Sequence, residues 1–128
     1  MKVATLLPNL NGGGAQRVAL LVAKNLELLG VESVVIHGGA NGSLASSVKS
    51  IPLQSFHAQI SFLKLPSFCG FLRRAIGVES PQVLISHLRP LNSLLLLLRK
   101  LKVFRGALIV VEHIDWSAEQ SNIPVPRW

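Results

Sequence analysis

Pro8-Asn9-Leu10-Asn11-Gly12-Gly13-Gly14-Ala15-Gln16-Arg17-Val18 is a glycine-rich turn set between an apolar run and an amphipathic segment. Before it, Val3-Ala4-Thr5-Leu6-Leu7 reads as a short buried strand. After it, Val18, Leu21, Val22, Leu26 and Leu29 recur at helical spacing, with Arg17, Lys24 and Glu27 on the other side and Gly30 as a stop. Strand, glycine turn and helix in that order form the first half of a βαβ unit. The first amides of such a helix lack intrahelical partners and carry partial positive charge, and glycines let a ligand approach them. An anion is therefore the natural guest, although three glycines also suit a plain tight turn. Arg17 in the first turn opposes the helix dipole by roughly 0.3 kcal/mol or more, a cost that a bound anion would reverse.

Outward from this turn the pattern repeats. Further strands are expected at Ser33 to His37, Ser50 to Gln54, Gln82 to Ser86 and Ala107 to Glu112, each rich in Val, Ile or Leu except the weak third. Helices are expected at about Lys64 to Ile76, with Pro66 in its first turn and Gly77 ending it, and at about Asn92 to Lys102. The second of these is apolar almost all round, so it is either central or faces something other than water. The fold class that follows is α/β and Rossmann-like: a mostly parallel sheet of about five strands with helices on both faces. Right-handed crossovers place the first strand centrally, the second and third on one side, the fourth and fifth on the other. Ligands in such sheets bind beyond the carboxyl ends of the strands, at the switch point between the first and fourth.

That switch point would gather Asn9 to Gly14, Ser86-His87-Leu88-Arg89 and Glu112-His113-Ile114-Asp115. Two histidines, an arginine and a helix N-terminus would share one rim, suited to phosphate and hydroxyl groups. His87 and His113 also suit plain caps on strand ends. Glu112 and Asp115 are candidate general bases. His37 and His57 have no convergent partner and read as surface or loop residues. The turn lacks the full G-x-G-x-x-G fingerprint, and the second strand ends in His37-Gly38-Gly39 without an acidic residue, which argues against a dinucleotide site. No G-x-S-x-G elbow is present, and His113 with Asp115 lacks a third ligand, so no metal site is assigned.

Composition bounds the remaining classes. The 128 residues suit one domain, and 49% hydrophobic with 15% charged residues argues against a disordered chain. The apolar run Leu94 to Leu98 is broken by Arg99, Lys100 and Lys102, well short of the roughly 20 residues a membrane span needs. Cys69 is the only cysteine, so a cytoplasmic protein is the expectation, and among Phe68, Gly70 and Phe71 it reads as a small buried thiol. The net charge of +7 is concentrated in Arg73-Arg74 and in Arg99 to Arg105, near the ends of expected helices. Tyrosine is absent and the phenylalanines are not interleaved with the cations, which argues against nucleic acid. The second cluster reads either as a solvated helix end or as a patch for an anionic membrane surface, flanked as it is by Leu and Phe.

The run Leu7 to Ala19, followed by Pro81-Gln82-Val83-Leu84-Ile85-Ser86-His87 and Ile109-Val110-Val111-Glu112-His113, resembles the N-terminal domain of family 4 glycosyltransferases over essentially the whole chain. Those are retaining enzymes of two Rossmann-like domains, the GT-B architecture. The resemblance implies the acceptor-binding N-terminal part of an enzyme that moves a sugar from a nucleotide-diphosphate donor to a polysaccharide, glycolipid or other envelope acceptor. It implies that Gly12, Gly13, Gly14 and Arg17 face the donor diphosphate and that His113 contacts the transferring sugar as the catalytic residue. Asn11, His87 and Arg89 would bind substrate, and no tightly bound cofactor is implied. Gln16 and Gln82 stand where family members commonly carry acidic residues. The chain also stops soon after its fifth strand, without the nucleotide-sugar pocket. The expectation is a truncated product, a fragment, or one half of a split transferase whose donor domain is a separate chain, peripheral to the inner face of the membrane and inactive alone. The alternatives are a non-catalytic Rossmann-like subunit that anchors a partner to the membrane, or an inactive remnant.

Overall fold

A computed structural model describes residues 1–38, 50–53 and 65–113. The elements are β1 (Lys2–Leu7), α1 (Gly14–Leu28), β2 (Glu32–Gly38), β3 (Ser50–Leu53), α2 (Leu65–Glu79), β4 (Val83–His87), α3 (Arg89–Lys100) and β5 (Ala107–Val111). The five strands form one parallel sheet in the order β3-β2-β1-β4-β5. β1 is central: Leu6 pairs with Ile36 on one side and with Ser86 on the other. The near-continuous apolar content of β1, β2 and β4 is explained by burial on both faces.

The two faces have separate cores. Ala4, Leu6, Val34, Ile36 and Leu84 pack against Phe68 and Leu72 of α2 and against Leu91, Leu94, Leu95 and Leu98 of α3. On the opposite face Leu7 and Val35 pack against Ala19, Leu20 and Ala23 of α1. The division follows from the direction of travel. The crossover through α1 moves outward from β1, and the one through α2 returns past it, so right-handed connections put their helices on opposite faces. Fully buried side chains such as Leu6 and Leu72 each contribute about 1.5–3 kcal/mol of hydrophobic stabilisation.

α1 departs from its apparent stripe. Val18, Leu21 and Leu29 are exposed, and the buried line is Ala19, Leu20 and Ala23. Two alanines at 0% exposure let the helix axis approach the sheet closely, and closer packing outweighs the larger residues next to them. α1 ends as expected: Gly30 at φ +77 takes the left-handed position, with Val31 N–H donating to Leu26 O and Gly30 N–H to Glu27 O.

Two helix boundaries also move. α2 runs through Gly77 to Glu79 and stops at Ser80, whose amide still donates to Ile76 O and whose hydroxyl donates to Gly77 O. Arg73 and Arg74 therefore lie within α2, exposed, rather than near its end. α3 starts at Arg89 because Pro90 suits the first turn of a helix. It is peripheral rather than central: Leu91, Leu94, Leu95 and Leu98 are buried, whereas Leu96 and Leu97 are about half exposed. Cys69 is part-buried against the α2–α3 core. Gln54, His57, Ile114 and Asp115 lie outside the described residues.

Candidate functional site

The register sets the start of the loop after β1 level with the end of β4, on the same edge of the sheet. Leu6 pairs with Ser86, so β1 and β4 leave the sheet at the same level, the first into Pro8 and the second, after His87, into Leu88. This is the carboxyl edge at which the strand order reverses, where α/β sheets bind ligands.

Gly12 adopts φ +93, a conformation that side chains disfavour, and so turns the chain into α1. Gly13 is the N-cap and contributes no side-chain cap, and the first turn holds no acidic residue. The first helical hydrogen bond runs from Arg17 N–H to Gly13 O at 3.0 Å, which leaves the amides of Gly14, Ala15 and Gln16 outside the helical ladder. A Cβ on Gly13 would clash with Gln16 Oε1, whereas one on Gly14 would meet open space. Gln16 thus folds back over the turn. Its Nε2 donates to Asn9 Oδ1 at 3.2 Å, and the same oxygen accepts from Asn11 N–H at 3.2 Å. Asn9 is the organiser of the loop, a role recognisable from the tendency of Asn to bond the backbone two residues on. Arg17 and Asn11 are exposed at this edge.

His87 is 2% exposed at the end of β4, and its Nδ1 lies 2.8 Å from Nε2 of His113. The rings are stacked, with centroids 5.1 Å apart. Burial, together with the neighbouring His113 charge, lowers the His87 pKa to about 4, so the ring is neutral near pH 7. One nitrogen of the contact donates and the other accepts, and the remaining His87 nitrogen, Nε2, is buried without a hydrogen-bond partner. His113 itself is exposed and faces solvent.

Asn92 of α3 locks this pair to the sheet. It is 4% exposed, and its Nδ2 donates to Val111 O at 3.1 Å and to Glu112 Oε1 at 2.7 Å. Those two bonds hold the end of β5 and the residue before His113. Glu112, a candidate base, is thereby engaged with Asn92. Leu88, between His87 and α3, has φ +80; strain of order 1–3 kcal/mol is typical of such positions and concentrates at functional sites. Neither Asn92 nor Leu88 stands out in the sequence, because their roles depend on a strand end about 20 residues away.

Arg89 opens α3 next to His87, and its side chain lies outside the described atoms. His37 corrects the surface assignment: it lies within β2, one residue before its end, at 0% exposure, opposite Leu7 and Pro52. Burial lowers its pKa, and neither ring nitrogen has a hydrogen-bond partner. The strand continues to Gly38, which places the ring inside the layered structure rather than in a loop. Among the described residues no group of three His, Cys, Asp or Glu could hold a metal ion, and no helix is long and apolar enough to cross a membrane.

Comparison with protein-family models finds no match, and comparison with curated proteins finds none.

Proposed function

We propose that this chain is the acceptor-side domain of a sugar-nucleotide-dependent glycosyltransferase. The observation that carries the reading is the 2.8 Å contact between His87 and His113 on the edge that also bears the open N-terminus of α1. In this reading the amides after Gly13, with Arg17, stabilise charge developing on the leaving diphosphate of a nucleotide-sugar donor. Preorganised donors aimed at developing charge are the most effective means a rigid edge has of lowering a barrier. His113, exposed and braced from behind by the neutral His87, offers a ring nitrogen to a hydroxyl of the transferring sugar. Asn11 and Arg89 flank the acceptor side.

The bracing has a chemical consequence. A buried neutral imidazole, hydrogen-bonded to His113, fixes the orientation and tautomer of that ring. Titration of uridine diphosphate into the isotope-labelled chain, followed by NMR, tests the reading through the amides of Gly12 to Gln16 and the rings of His87 and His113.

A further inference from the structure

α3 ends in a way that costs stability and conserves charge. Val103 N–H donates to Leu98 O at 3.0 Å and Lys102 N–H to Arg99 O at 2.9 Å, the same paired closure that ends α1. In α1 the left-handed residue of that closure is Gly30, and in α3 it is Lys102, at φ +59. A lysine there is less favourable than glycine, which has no Cβ to clash. The lysine joins Arg99, Phe104 and Arg105 around an open pocket of about 460 Å³. Phe104 is 6% exposed and forms its floor, and Arg99 is anchored by donating to Gly106 O at 2.9 Å. None of the three cations pairs with a carboxylate of a described residue; the ion pairs there belong to Lys2, with Glu32 and Glu79. From Ser80 to Val111 the sequence has no acidic residue at all. Beside the pocket, Leu97 and Leu101 are 48% and 63% exposed, with Lys100 also at the surface.

We propose that the C-terminal end of α3 docks on an anionic phospholipid bilayer, with a lipid phosphate in the Arg99–Lys102–Arg105 pocket and Leu97 and Leu101 among the headgroups. Charge complementarity selects the occupant, since cations and large apolar side chains on one exposed helix end match an anionic interface better than water or a neutral protein face. The surface lies at the amino edge of the sheet, opposite the His87–His113 site, so the proposal stands or falls independently of the glycosyl-transfer reading.

The test is co-sedimentation of the full chain with vesicles of phosphatidylglycerol and phosphatidylcholine, against pure phosphatidylcholine. Binding is expected on the anionic vesicles alone and is expected to weaken with salt. Lys102→Gly should keep or raise Tm yet weaken vesicle binding about fivefold, the effect of one interfacial cation. Lys24→Gln, which removes one charge from the exposed side of α1, should change binding less than twofold. Leu97→Gln with Leu101→Gln, verified as folded by circular dichroism, should also weaken it. The proposal is overturned if anionic vesicles do not pellet the chain, or if Lys102→Gly and Lys24→Gln bind equally. It is also overturned if soluble glycerol phosphate binds the pocket while the leucine variant pellets like wild type, an outcome that would make the pocket a site for free phosphate compounds.

Discussion

His87 Nδ1 and His113 Nε2 meet at 2.8 Å across the ends of two neighbouring parallel strands, one ring buried and the other exposed. The pair converts a sheet edge into a surface with one oriented, solvent-facing imidazole, and its protonation couples to folding. His87 is held to a pKa of about 4 against an ordinary value of 6.5, first by burial and then by His113. Between those values the unfolded chain takes up a proton that the folded chain refuses. Stability is therefore complete above about pH 6.5 and falls as the pH drops towards 4, by up to about 3 kcal/mol from this residue. Buried His37 adds to the loss in the same direction. Thermal melts at pH 7.5 and 4.5 check this: wild type should lose more stability on acidification than His87→Gln, by about 2 kcal/mol.

Asn92→Leu removes both bonds that hold the end of β5 and leaves Glu112 without that donor. A loss of about 1–3 kcal/mol is expected in urea unfolding. The His113 ring resonances should move as well, which a change confined to the core would not produce.

The glycine turn separates stability from binding. Gly12→Ala should destabilise by about 1 kcal/mol or more, because φ +93 is strained for alanine. Gly14→Ala meets open space at the first position of α1 and should stay within about 0.5 kcal/mol of wild type. If the amides there bind a diphosphate, the added methyl group nevertheless weakens uridine diphosphate binding, measured by calorimetry.

α1 offers a direct check of which face is buried. Ala23→Leu should cost about 1–3 kcal/mol by overpacking against Leu7 and Val35. Leu21→Gln, at a side chain 61% exposed, should stay within about 0.5 kcal/mol in the same unfolding assay.

Much of the architecture is legible in the chain itself. Val3 to Leu7, Ser33 to His37 and Gln82 to Ser86 are largely apolar runs too short for helices and separated by helical spacings, and the crossover rule then orders the strands. The face of α1 is not legible, because Val18, Leu21 and Val22 form one stripe and Ala19, Leu20 and Ala23 another. Hydrophobicity favours the first, and close packing on the sheet selects the second. At the site, His87 and His113 are visible as polar residues closing consecutive strands. Asn92 is not, since what matters about it is a partner that only the folded chain brings near. His37 misleads for the same reason: a histidine before two glycines looks like a loop, and the sheet carries it into the interior.

The central claim is that the turn after β1 and the histidine pair form one anion-facing site. An NMR titration of the labelled chain with uridine diphosphate tests it most directly. Saturable shifts are expected at the amides of Gly12 to Gln16 together with the His113 ring, weakened in Gly14→Ala. Shifts confined to the Arg99 to Arg105 surface, or none at the turn, would contradict it.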